Sequence, residues 1–171
     1  MPQFFSGKIL ISVLFLTVLD LCLAPILGIA RPLTAYLLII FAVLDGAGGR
    51  KIAGLAVLVG AVRDLAGVEP LGVETFVLFL NSLMFAFVIS KIEHESSFVR
   101  TTVVFIFVLS VCFSRLVLAA FLTGNNSIST EFLFLSAAAA FSTAMVSPFF
   151  FWLMKGWFGK RSFLKQYELF R

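Results

Sequence analysis

The sequence predicts an all-α integral membrane protein, one bundle of six transmembrane helices. Three observations carry this. Of 171 residues, 61% are hydrophobic and 13% charged, against roughly 45–50% and about 25% in soluble globular domains. Mean hydropathy is +1.09, more apolar surface than a water-soluble fold can hide. The apolar residues also fall into six runs separated by short polar or Gly/Pro-bearing breaks.

A bilayer's hydrocarbon layer requires about 20 apolar residues per span, and in lipid each backbone N–H and C=O must be satisfied within the span, so each run is helical. The runs cover 9–28, 33–48, 52–67, 73–92, 101–123 and 132–157. The second and third are short, and snorkelling of Arg31, Arg50 and Lys51 or a thinned bilayer would complete them. The start, Met1 to Lys8 followed by an apolar run, has the outline of a secretory signal. Asp20 interrupts its apolar core and Pro25 follows Leu23-Ala24, so it reads as a retained first span. No separate domain, low-complexity linker or internal repeat is legible, which makes residues 1–171 a single transmembrane domain.

Basic residues orient the bundle. Six spans place Lys8, Arg50, Lys51, Lys91, Arg100, Lys155, Lys160, Arg161, Lys165 and Arg171 on one side and Arg31 alone on the other. Both termini are therefore expected in the cytoplasm. The net charge of +4 faces anionic lipid headgroups in this reading rather than nucleic acid. In the tail, 158–171, aromatic residues alternate with Lys160, Arg161, Lys165 and Arg171, as in a segment lying on the membrane surface. Cys22 and Cys112 lie within apolar runs and read as small buried packing residues.

Ionisable groups inside spans cost several kcal/mol unless paired, so they mark the candidate site. Asp20, Arg63, Asp64, Glu74 and Arg115 fall in the outer halves of spans one, three, four and five, with Arg31 at the same level, and together form an outward polar cluster. Asp45 stands apart near the cytoplasmic end of span two. Ala53, Ala56, Gly60, Asp64 and Gly67 recur at spacings of three or four, one small-residue face that lets a neighbouring helix approach and aims Asp64 into the bundle. Arg63 lies about 100° further round. Glu74 and Asn81 share a face of span four, as a hydrogen-bonded seam or a cavity wall. Pro148 is expected to kink span six, and Ala137–Ala140 to permit close packing. No phosphate-binding loop, nucleophile-base pair or metal-ligand spacing occurs, and His94 lies in a short loop between two glutamates; the chain reads as a non-enzyme without cofactor.

The stretch from Gly60 to Gly72 carries Asp64-Leu65, then a turn at Gly67, then Pro70-Leu71-Gly72 opening the next helix. With Arg31-Pro32 at the head of span two, it resembles the family of rod-shape-determining membrane proteins MreD. The turn differs from the family pattern in Ala66-Gly67 and Glu69. The resemblance implies a fold similar to the substrate-binding subunits of energy-coupling-factor transporters. It also implies a non-enzymatic scaffold of the bacterial elongation complex in the inner membrane. Its partners would be an MreC-like bitopic protein, an MreB-like actin homologue, and the glycosyltransferase and transpeptidase of cell-wall synthesis. The alternative is the substrate-binding subunit of a small-solute, vitamin-type transporter, with Asp20, Asp64, Glu74 and Asn81 lining an outward pocket.

Overall fold

The computed structural model describes residues 7–27, 33–66, 72–89, 96–123 and 130–158. Among them the chain is all-helical: α1 (Gly7–Leu27), α2 (Thr34–Leu44), α3 (Gly49–Ala66), α4 (Val73–Ile89), α5 (Ser97–Thr123) and α6 (Thr130–Phe158), with no strand. The segments Ser97–Leu118 of α5 and Phe132–Met154 of α6 are long and apolar enough to cross a membrane.

The largest departure from the sequence expectation is α2. Its run was expected to span 33–48, yet the helix is 11 residues, about 17 Å long at 1.5 Å per residue, roughly half the hydrocarbon thickness. Gly46 ends it. At φ +72° Gly46 adopts the left-handed conformation that a side chain disfavours. Its N–H donates to the Val43 carbonyl, and the Ala47 N–H to the Ala42 carbonyl, the paired bonds of a Schellman stop.

A short helix apolar on every side belongs in a centre. Tyr36, Leu37 and Ile39 are each fully buried, and α2 packs against all five other helices. Those five form an arc in the order α1, α3, α4, α5, α6; among the described residues α1 and α6 make no contact. On α1, Ser12, Val13, Leu16, Thr17 and Asp20 are buried, the three-to-four spacing of one helical face. The opposite face exposes Ile11, Phe15, Val18 and Cys22. Cys112 is buried as expected but Cys22 is not, because it falls on that outward stripe.

The surface is apolar as well as the core, and three acids lie within. Phe98, Phe121, Phe134 and Trp152 are each at least 70% exposed, while Asp20, Asp64 and Glu74 are each at most 7% exposed. Two aromatic contacts anchor the core, Phe85 edge-on to Phe107 at 5.0 Å and Phe41 against Phe151 at 6.0 Å.

The small-residue face of α3 lies on α4. Ala56 is fully buried, and a Cβ added to Gly60 would come 2.4 Å from Thr75 Cα and 2.9 Å from Thr75 N. Those are backbone atoms, so the helices themselves would have to separate. Gly60→Ala is therefore expected to lower stability by about 1–3 kcal/mol, read as a shifted midpoint in detergent unfolding. An unchanged midpoint would mean that the approach is not tight.

Candidate functional site

The site begins at the N-terminus of α2, whose first N–H groups have no partner within their own helix. Two other helices and Leu33, the residue before α2, supply them. Asp20 of α1 accepts from Thr34 N at 2.8 Å, Thr34 Oγ1 at 2.5 Å and Ala35 N at 3.2 Å. Thr143 Oγ1 of α6 accepts from Leu33 N at 2.9 Å, and the Leu33 carbonyl accepts from Tyr36 N at 3.2 Å. The start of a buried helix is thus satisfied without water, and the carboxylate lies at the positive end of its dipole.

The next hairpin repeats the device. Asp64 of α3 accepts from Gly72 N and Glu74 N at 3.0 Å, Thr75 N at 3.1 Å and Thr75 Oγ1 at 2.5 Å. Gly72 presents its N–H from φ +95°, a conformation that selects glycine. In both hairpins an aspartate near the end of one helix caps the following helix through two or more backbone N–H groups and a threonine hydroxyl. No internal repeat was read from the sequence, but the residues recur: Asp20-Leu21, Pro32-Leu33 and Thr34, then Asp64-Leu65, Pro70-Leu71 and Thr75.

Arg63 joins the hairpins. Its Nη1 lies 3.0 Å from Asp20 Oδ2, its Nε 3.1 Å from Glu74 Oε1, and its guanidinium carbon 4.7 Å above the Tyr36 ring. The Tyr36 hydroxyl donates to the same Glu74 Oε1. From α5, Arg115 Nε lies 3.1 Å from Glu74 Oε2, an ion pair not aligned as a hydrogen bond; that oxygen has no hydrogen-bond partner among the described residues. Asp20, Arg63, Glu74 and Arg115 therefore alternate in charge across α1, α3, α4 and α5, around the Tyr36 of α2. Pairing of this kind offsets the desolvation that isolated charges would suffer.

Asn81 lies two turns along α4 from Glu74 and tethers α5. Its Nδ2 donates to Ser114 Oγ at 3.1 Å and to the Val77 carbonyl at 2.9 Å, while Ser110 Oγ donates to its Oδ1 at 2.6 Å. Glu74 and Asn81 thus form a polar seam between α4 and α5.

The structure brings together Asp20, Arg63, Asp64, Glu74 and Arg115 from the sequence-derived set, with Asn81 two turns further along α4 on Ser110 and Ser114. Leu65 points away, 79% exposed. Arg31, Gly67, Pro70, Leu71 and the tail residues Lys160, Arg161, Lys165 and Arg171 lie outside the described residues. Sequence reasoning did not single out Tyr36, Thr34, Thr75, Thr143, Ser110 or Ser114. Hydroxyl groups carry no charge penalty that would flag them in an apolar run; the recurring Asp-Leu, Pro-Leu, Thr order was the available signal.

Chemically the arrangement neutralises and ties. Each oxygen of Asp20 and Asp64 accepts from at least one donor of this chain. Comparison with protein-family models, with characterised proteins and with solved structures found no match to this chain.

Proposed function

We propose that the chain is a multi-pass protein of the bacterial inner membrane with both termini in the cytoplasm, and that it acts as a non-enzymatic scaffold of the MreD type. In this reading it organises cell-wall elongation with an MreC-like bitopic protein, an MreB-like filament, and the glycosyltransferase and transpeptidase of that complex. One observation supports the reading above others: the buried acids are engaged inside the bundle, as helix caps and ion pairs. What the protein offers to other molecules is then its apolar lateral surface, suited to lipid and to partner transmembrane helices. The polar network keeps that surface in shape.

The likeness of Arg31-Pro32 and of Asp64-Leu65 to Pro70-Leu71-Gly72 to the MreD pattern supplies the biological role, including the six-span fold similar to energy-coupling-factor substrate-binding subunits. Depleting the chain in a rod-shaped host is the test. Cells are expected to round, and the tagged chain to co-purify with an MreC-like protein from gently solubilised membranes. Rods of normal shape, with no such protein recovered, would overturn the proposal.

A further inference from the structure

Helix α6 is held unevenly along its length. Beyond Pro148 it buries Phe150, Phe151 and Met154, with Phe151 against Phe41 of α2. Before Pro148 its buried side chains are small: Ala140, Thr143, Ala144 and Ser147. Large side chains thus fill the core contact of one half and small ones that of the other, while α6 also packs against α5.

The junction between the halves is built to bend. Pro148 has no N–H to donate to the Ala144 carbonyl, which breaks the helix ladder there. The Ser147 hydroxyl donates to that carbonyl instead, at 2.7 Å. One turn earlier Ser142 Oγ and Thr143 Oγ1 both donate to the Ala139 carbonyl, at 3.0 and 2.6 Å. Such back-bonding loosens and bends helices. That half also borders the open side of the arc, since among the described residues α6 makes no contact with α1. A cross-helix tie holds it to the centre, the 2.9 Å bond from Leu33 N to Thr143 Oγ1.

We infer that α6 is a hinged helix: its N-terminal half swings about Ser147-Pro148 while Phe150, Phe151 and Met154 stay anchored. The swing breaks the Leu33–Thr143 bond and uncovers the start of α2, with the Asp20 carboxylate immediately behind it. Opening leaves the Leu33 N–H in need of a partner, so water or an incoming polar group must enter as the helix leaves. The buried network thereby gains a lateral entrance between α6 and α1. This inference does not rest on the proposed scaffold role.

The test uses the full chain in lipid nanodiscs, with Cys22→Ser and Cys112→Ala removing the native thiols. Leu33→Cys reports on the covered end of α2, and Val77→Cys, buried on α4 away from α6, reports on general loosening. Reactivity of each toward a small maleimide is measured against the same protein unfolded in detergent. Thr143→Val keeps the shape but removes the acceptor, and is expected to speed labelling at Leu33→Cys about fivefold, the population change for one net hydrogen bond, with Val77→Cys unchanged. Pro148→Ala restores a ladder donor to the Ala144 carbonyl and is expected to slow labelling at Leu33→Cys severalfold. Should Thr143→Val fail to fold, the Pro148→Ala arm decides alone. Unchanged labelling at Leu33→Cys in the variants that fold overturns the hinge, as does an equal acceleration at both reporters.

Discussion

Replacing Arg63 with alanine is expected to destabilise the protein by about 3–5 kcal/mol, the range for removing one partner from a buried ion pair. The change leaves two carboxylates, Asp20 and Glu74, each at most 6% exposed at the side chain, without the cation between them. Glu74 keeps Arg115, and Asp20 keeps the α2 amides. The loss should therefore fall on the contact between the α1–α2 and α3–α4 hairpins. Arg63→Lys is expected to recover part of it, since a point charge cannot reach Asp20 and Glu74 as a planar fork does. Arg63→Met keeps much of the packing on Tyr36 without the charge, so it should recover less than Arg63→Lys. The measurement is an equilibrium unfolding curve in mixed detergent. An Arg63→Met variant at least as stable as Arg63→Lys would mean that packing on Tyr36, rather than charge, carries the effect.

Asp64→Ala is the second large effect. It removes the acceptor for the Gly72, Glu74 and Thr75 amides and for the Thr75 hydroxyl. A lost N-cap costs about 0.5–2 kcal/mol, and each buried donor left unsatisfied about 1–3 kcal/mol. Partial relaxation of the α4 start should bring the sum to about 2–4 kcal/mol by the same magnitudes. Asp64→Asn keeps one acceptor oxygen and is expected to lie near the lower end. Amide exchange gives a sharper readout than stability alone: protection should fall at Glu74 and Thr75 while the Asn81 region of α4 stays protected. Uniform loss along α4 would mean that Asp64 supports the whole helix rather than its first turn. Because Asp20 does the same for α2, Asp20→Ala is expected to expose the Thr34 and Ala35 amides in parallel.

The helical character of each segment was legible because it follows from composition and run length. In the apolar setting, a backbone has few other ways to satisfy its polar groups. The charged members of the network were legible for a related reason: Asp20, Arg63, Glu74 and Arg115 are conspicuous in apolar runs, where their cost requires a partner. Which partner each takes was not legible. Asp20 and Arg63 are 43 residues apart and Tyr36 and Glu74 38 apart, and nothing local encodes such separations. The centrality of α2 was equally hidden. A 16-residue run, 33–48, reads as a short span, yet Gly46 cuts the helix at Leu44 and the five neighbouring helices supply the surroundings that lipid would otherwise provide.

By itself, then, the sequence determined a bundle of apolar helices with a few ionisable groups at one level, because hydrophobicity and charge are properties of residues taken one at a time. Only the tertiary structure decided what those groups do. Asp20 and Asp64 became caps because each helix start came within 3.2 Å of a carboxylate on the helix before it. Arg63 became the joint because α1 and α4 approach it from either side. Capping and pairing depend on distance and direction between separate helices, and those are fixed only when the helices pack.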